Sequence, residues 1–117
     1  MIEKKTILIV DDEIRITRSF AQNFRHDYRV LTANSGEDAL KIIREKAPDL
    51  VVLDWRLKSA VDGKDVLNFS KVTAPRTPVL VITASVHSEE EIKARGADYF
   101  LTKSCDPKEK IMEVLPP

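Results

Sequence analysis

Leu50-Val51-Val52-Leu53-Asp54 is a run of four apolar residues closed by a carboxylate. The run is too short for a helix and is built from Leu and Val, so it reads as a strand over Leu50–Leu53 with both faces buried, as in a parallel sheet. An aspartate at the end of such a strand adds nothing to packing and is costly to desolvate unless it is paired. The stretch therefore sets two expectations, a parallel sheet and a polar site where its central strand ends.

Outward from this strand, Thr6–Val10, Arg29–Ala33, Val79–Ile82 and Tyr99–Leu101 are further short β-branched or aromatic runs. Stretches of helical period lie between them. Ile14, Thr17, Phe20, Ala21 and Phe24 recur at three- and four-residue steps and predict one apolar face on a first helix. Ser35 is the expected N-cap of a second helix with Asp38 in its first turn, the stripe Ala39, Leu40 and Ile43, and a stop at Ala47-Pro48. Asp62-Gly63 turns into a third helix carrying Val66, Leu67 and Val72. A fourth fits between Ser88 and Arg95 and ends at Gly96, and Pro107 opens a last helix of about two turns with Ile111, Met112 and Leu115 inward. Strict alternation of strands and helices predicts one three-layer α/β domain with a five-stranded parallel sheet.

Length and charge agree with that reading. At 117 residues the chain is one domain, with 43% hydrophobic and 32% charged residues and a core large enough to fold without disulfides. The lone Cys105 cannot form an internal disulfide and is expected to be an inert thiol, and His26 and His87 have no metal-ligand spacing. The 19 basic and 19 acidic residues cancel, so neither nucleic acid nor an anionic membrane is expected as a direct ligand. No apolar window is long enough for a membrane span or a signal peptide, which makes the cytoplasm the expected compartment. Pro116-Pro117 reads as the start of a linker to a C-terminal partner domain.

In an open parallel sheet the functional crevice lies outside the carboxyl ends of the strands. The residues delivered there are Asp11-Asp12-Glu13, Asp54, Thr83 and Thr102-Lys103, while the edge strand delivers only Asn34 and the helix-capping Ser35, with no role assigned to Asn34. An Asp pair before a helix is commonly a cap, a Thr is commonly a strand residue and a Lys a solvated end; the conjunction is what points to a site. Two like charges 4 Å apart cost about 4 kcal/mol at an effective dielectric of 20, so something positive belongs among Asp11, Asp12 and Asp54. Lys103 supplies one charge, and carboxylates with room for water suit Mg²⁺. Such a site would collect a phosphoryl group, with Lys103 and the Thr83 hydroxyl covering its oxygens and one carboxylate acting as nucleophile. Spacing leaves open which carboxylate that is.

Val10-Asp11-Asp12-Glu13, the strand ending in Asp54, Val81-Ile82-Thr83-Ala84 and Gly96-Ala97-Asp98-Tyr99-Phe100-Leu101-Thr102-Lys103 stand in the order of the motifs of a response regulator receiver domain, and nearly the whole chain resembles that family. The resemblance implies a flavodoxin-like fold with strand order 2-1-3-4-5. It also implies that Asp54 is phosphorylated by a sensor histidine kinase or a phosphotransfer protein, and that Asp12, Asp54 and the Arg56 carbonyl hold Mg²⁺, with Asp11 acting through water. Thr83 and Lys103 would bind the phosphoryl group, and Phe100 would be the switch aromatic, with Tyr99 facing away. Residues 1–117 would then be a receiver that catalyses only its own phosphorylation and dephosphorylation, that signals to an output domain or partner, and that is a monomer or weak homodimer.

The sequence also departs from the family pattern. Ser104 replaces the Pro that usually follows the lysine in a cis bond, so either a non-proline cis bond is held there or the loop runs differently. Lys58 stands where the family favours Pro, in a loop one residue longer than usual, and the segment from Thr83 to Gly96 is about two residues short, which predicts a short fourth helix. Arg56 and Ser85 occupy positions where the family tunes the lifetime of the phosphorylated state. Trp55 is expected to pack beside the site, and Glu89-Glu90-Glu91 to favour a helix N-terminus. Two other readings compete with the phosphoacceptor. One is a pseudo-receiver that binds partners without phosphorylation. The other is a Mg²⁺-dependent phosphohydrolase, which would need a second carboxylate where Trp55 and Arg56 follow Asp54.

Overall fold

The computed structural model describes residues 3–84 and 88–117. Strands β1 (Thr6–Val10), β2 (Arg29–Ala33), β3 (Leu50–Asp54), β4 (Val79–Thr83) and β5 (Tyr99–Thr102) alternate with helices α1 (Ile14–Phe24), α2 (Gly36–Lys46), α3 (Gly63–Thr73), α4 (Glu89–Ala94) and α5 (Pro107–Val114). The strands form one sheet in the order β2-β1-β3-β4-β5, every pair parallel, which is the flavodoxin-like arrangement. Three strands run one residue past their apolar runs. Asp54 pairs in register with Ile82, and Thr83 with Thr102, so these polar residues are the last rungs of the ladder rather than parts of a loop.

Side-chain alternation distributes the strands over two cores. Leu8, Val10, Val51, Leu53, Val79 and Val81 pack with residues of α2, α3 and α4. Ile7, Ile9, Leu50, Val52 and Leu80 pack with Phe24, Tyr28 and Ile111 on the side of α1 and α5. Full burial of each such side chain stabilises the fold by roughly 1.5–3 kcal/mol. Alternation along β3 then places Asp54 on the same face as Leu50 and Val52, toward α1 and α5. On the edge strand, Phe100 packs against the first core and Tyr99 against the second, so the two rings face opposite ways as expected.

The helix starts follow local chemistry. Ser35 caps α2, its Oγ accepting from the Asp38 amide at 3.1 Å. Asp62 and Asp65 form a reciprocal capping box on α3, and Asp106 caps α5 with Pro107 in its first turn. Ala47 ends α2 in the left-handed conformation at φ 45°. The fourth helix is short, six residues, and Glu89 and Glu91 pair with Lys93 and Arg95 one turn on. Two expected inward residues face out, Ile14 at 55% and Val72 at 76% exposure. Ile14 opens α1, where the lean of helical side chains toward the N-terminus carries it past the sheet. Val72 lies five residues after Leu67 and six after Val66, off the helical repeat of the buried stripe.

Two tethers close the edges of the sheet. The Tyr28 hydroxyl donates to the Leu115 carbonyl, and Lys5 Nζ donates to the Pro116 carbonyl at 2.7 Å, which fastens the end of α5 beside the starts of β1 and β2. At the turn into β5, Asp98 Oδ2 accepts from Lys71 Nζ at 2.7 Å and from the Val79 amide at 2.8 Å. Among the described residues no helix is long and apolar enough to cross a membrane. Removing the Asp98 acceptor leaves the amide of the fully buried Val79 unpaired, so Asp98→Ala is expected to cost about 2 kcal/mol in urea denaturation. Asp98→Asn keeps an acceptor for that amide and is expected to cost less than about 1 kcal/mol, the value of a half-exposed ion pair.

Candidate functional site

The register of the sheet brings the ends of β1, β3, β4 and β5 to one edge, and with them every residue expected there. Asp11 and Asp12 follow β1, Asp54 and Thr83 end β3 and β4, and Lys103 follows β5. One carboxylate oxygen from each of Asp11, Asp12 and Asp54 lies within 4.8 Å of the others. Asp11 and Asp54 are each 6% exposed, whereas Asp12 is half-buried.

Backbone amides hold these carboxylates. Asp11 Oδ1 accepts from the Glu13 amide at 2.9 Å, Asp54 Oδ1 from the Arg56 amide at 3.3 Å, and Asp12 Oδ2 from the Lys58 amide at 3.2 Å. The residue at the cap position of α1 is Glu13, so the capping reading of the Asp pair does not apply. Lys103 Nζ stands 3.5 Å from Asp54 Oδ2, and the Lys103 amide donates to the Thr83 carbonyl at 2.9 Å, fixing the lysine's origin to the end of β4. Thr83 is 1% exposed. Phe100 is half-buried on the opposite face of the sheet from Asp54.

The lysine loop takes the second of the two courses open to it. No cis peptide bond occurs among the described residues, so Lys103-Ser104 is trans. The chain turns instead through a hydrogen bond that the Cys105 amide donates to the Thr102 carbonyl at 3.1 Å, with Thr102 Oγ1 and Ser104 Oγ 2.8 Å apart, before Asp106 caps α5. Cys105 is exposed. Trp55 is half-buried beside the first core, and His26 is exposed. Ser85 and His87 lie outside the described residues.

Beneath the carboxylates, between α1, the central strands and the start of α5, lies a cavity of about 170 Å³ lined by Ile16, Phe20, Val52, Ile82 and Pro107 together with Asp11, Asp54 and Lys103. Burial pushes the Asp11 carboxyl up to about 6; the Glu13 amide opposes this, Asp54 and Asp12 reinforce it, and Lys103 opposes it. Each carboxylate pair at such separations repels by on the order of 3 kcal/mol at an effective dielectric of 20, and Lys103 provides only one compensating charge. Hard oxygen donors in excess negative charge, partly open to water through Asp12, fit Mg²⁺ better than a soft or nitrogen-preferring metal.

Three contributors escaped sequence reasoning. Asn34 Nδ2 donates to the Asp11 carbonyl at 2.9 Å and to Thr17 Oγ1 at 3.0 Å, tying the end of β2 to the start of the acidic turn. The Lys58 amide grips Asp12, and Ser59 fastens the same loop to α2, its Oγ accepting from the Gly36 amide at 3.1 Å and donating to the Val61 carbonyl at 2.6 Å. Asn34 directly after a strand and Ser59 in an unusually long loop were the available signals.

A doubly wound parallel sheet with an acidic cluster and a lysine at its carboxyl edge defines a flavodoxin-like domain with a polar site at that edge. The sequence pattern of the response regulator receiver domain matches residues 7–115, and the chain belongs to that family, the receiver domains of two-component systems. It is 37% identical over 108 residues to the alkaline phosphatase synthesis transcriptional regulatory protein PhoP of Bacillus subtilis, covering 90% of this chain and 45% of PhoP. It is 38% identical over 109 residues to the transcriptional regulatory protein ZraR of Klebsiella oxytoca, covering 89% of this chain and 24% of ZraR. The chain thus spans less than half the length of these relatives. Among solved structures, the receiver domain of NtrX from Brucella abortus superposes with a TM-score of 0.81 at 32% identity, covering 92% of this chain and 93% of that one. The receiver domain of the Francisella response regulator 1452 gives 0.84 at 27% identity, covering 95% and 93%.

The raised Asp11 carboxyl makes a signed prediction for the metal-free protein. Its folded-state pKa of about 6 lies above its ordinary 3.8, so its contribution to stability is full below 3.8 and is lost as pH rises through 6. In EDTA, lowering the pH from 7 to 5 is expected to raise the unfolding free energy by about 1 kcal/mol through this group. Asp11→Asn is expected to be more stable than the parent at pH 7 and to lose that part of the pH dependence, measured by urea denaturation at each pH.

Proposed function

We propose that the domain is a phosphorylation switch: Asp54 accepts a phosphoryl group from the phosphohistidine of a sensor histidine kinase or a phosphotransfer protein, and the change is relayed to an output domain or partner. The observation that carries this reading is the setting of Asp54. Its nearly buried carboxylate ends the central strand, has an ammonium 3.5 Å from one oxygen, and shares its cluster with two other carboxylates.

Asp11, Asp12, Asp54 and the Arg56 carbonyl would hold Mg²⁺, which when bound neutralises the cluster and supplies positive charge to the incoming phosphoryl oxygens. In the transfer an Asp54 oxygen bonds to phosphorus as the histidine N–P bond breaks, and the electron pair of that bond returns to the imidazole. Lys103 would release Asp54 and follow the charge onto the phosphoryl group, a reading supported by a backbone fixed to β4 and a half-exposed side chain. The Thr83 hydroxyl covers another phosphoryl oxygen, and its inward pull frees space into which Phe100 turns. The domain would act only on itself, through its own phosphorylation and hydrolysis, and would work in the cytoplasm as a monomer or weak homodimer. The relatives named as transcriptional regulators, more than twice as long, support an output domain beyond this one.

The test is intact-protein mass after incubation with acetyl phosphate, with and without Mg²⁺, beside Asp54→Ala. One phosphoryl adduct is expected, dependent on Mg²⁺ and absent from Asp54→Ala. Lys103→Ala should slow its formation on the order of a hundredfold, as loss of a charge-stabilising donor does. Continued phosphate release without a stable adduct would favour a phosphohydrolase, and no adduct at all would favour a pseudo-receiver.

A further inference from the structure

The loop between β3 and α3, residues 55–62, holds its shape through contacts that the phosphorylation reading leaves unused. We propose that Ser59 is a positioning residue for the divalent-cation cluster: it latches this loop to the start of α2 and thereby keeps the Lys58 amide on Asp12. The inference rests on the reading of Asp11, Asp12 and Asp54 as a Mg²⁺ site.

The geometry has four parts. Ser59 Oγ accepts from the first amide of α2, that of Gly36, at 3.1 Å, and donates to the Val61 carbonyl at 2.6 Å, so one hydroxyl joins two segments. The contact is close-packed as well as hydrogen-bonded, since a Cβ on Gly36 would stand 1.9 Å from the Val61 carbonyl oxygen. At its other end the loop is pressed on α3, where a Cβ on Gly63 would stand 2.4 Å from the Trp55 carbonyl oxygen. Between these anchors the Lys58 amide reaches Asp12 Oδ2 at 3.2 Å and the Arg56 amide reaches Asp54 Oδ1 at 3.3 Å.

Asp12 is the cluster member that needs such support. Asp11 and Asp54 are almost fully buried and have little freedom, whereas Asp12 is half-buried and its side chain accepts one amide from a neighbouring loop. An amide donated to a carboxylate orients its oxygens and leaves lone pairs for a cation, which is how supporting groups raise the affinity of oxygen sites. The donor is available because position 58 is Lys; a proline there has no N–H to give. The loop's departure from the family pattern therefore has a use: Lys58 supplies the amide, and Ser59, the next residue, holds it in place.

The test titrates Mg²⁺ against Trp55 fluorescence in the wild-type, Ser59→Ala, Ser59→Thr and Lys58→Pro proteins, beside amide exchange of Gly36 and Lys58 without metal and urea denaturation of each. Ser59→Ala is expected to bind Mg²⁺ on the order of tenfold more weakly and to lose protection at both amides. Ser59→Thr, which keeps the hydroxyl, should restore both, and Lys58→Pro should weaken Mg²⁺ binding while leaving Gly36 protected. Unchanged Mg²⁺ affinity in Ser59→Ala, with or without a loss of stability, would reduce Ser59 to a structural tether and overturn the inference alone. No Mg²⁺ response in the wild-type protein would overturn the cation-site reading and this inference with it.

Discussion

Everything at the carboxyl edge of this domain is arranged around the mutual repulsion of three carboxylates whose nearest oxygens lie within 4.8 Å. The sheet creates the problem, because parallel neighbours in fixed register cannot help delivering the ends of β1 and β3 to one place. It also limits the cost. Main-chain amides at Glu13, Arg56 and Lys58 each give one carboxylate a hydrogen bond, and Lys103 crosses from β5 to face Asp54. At Asp11 burial, more than the neighbouring carboxylates, pushes the carboxyl up to about 6.

The two helical layers divide the labour. The face of α1 and α5 carries Asp54, the cavity beneath it and the lysine turn, so the carboxylate stands over a mainly apolar floor. The opposite face carries the larger of the two cores and Phe100. Thr83 and Lys103 lie between them, joined through one backbone hydrogen bond. Asp54 therefore borders α1 and the start of α5 through the cavity, and β5 through Lys103.

The fold was legible because its evidence lies in residue types. A run such as Leu50–Leu53 buries both faces, and period-two alternation assigns Ile7 and Leu8 to different cores with no further information. The site was legible for the same reason, since charged and hydroxyl side chains at strand ends have few other uses. Ile14 was misjudged because a helical stripe does not reveal where the sheet beneath it stops, and Val72 because hydrophobicity outweighed spacing in the reading. The Lys58 amide and the trans course of Lys103-Ser104 could not be read from side chains, because main-chain donors carry no residue signature and a turn such as Thr102 to Cys105 is chosen by its surroundings. Ser59 stood in plain view, but its role depends on meeting Gly36 across a gap of sequence.

The tethers at Lys5 and Tyr28 bear on how news of the site travels. Helix α5 starts four residues after Lys103, the ion-pair partner of Asp54, and its far end is tied down where β1 and β2 begin. Its eight residues span about 12 Å at 1.5 Å per residue, which is most of the height of the sheet. The helix is therefore a strut clamped at its foot, with its head beside the lysine turn. Motion of that turn can tilt the strut more easily than slide it, so the exit of the chain past Leu115 would feel a change of angle rather than a change of position.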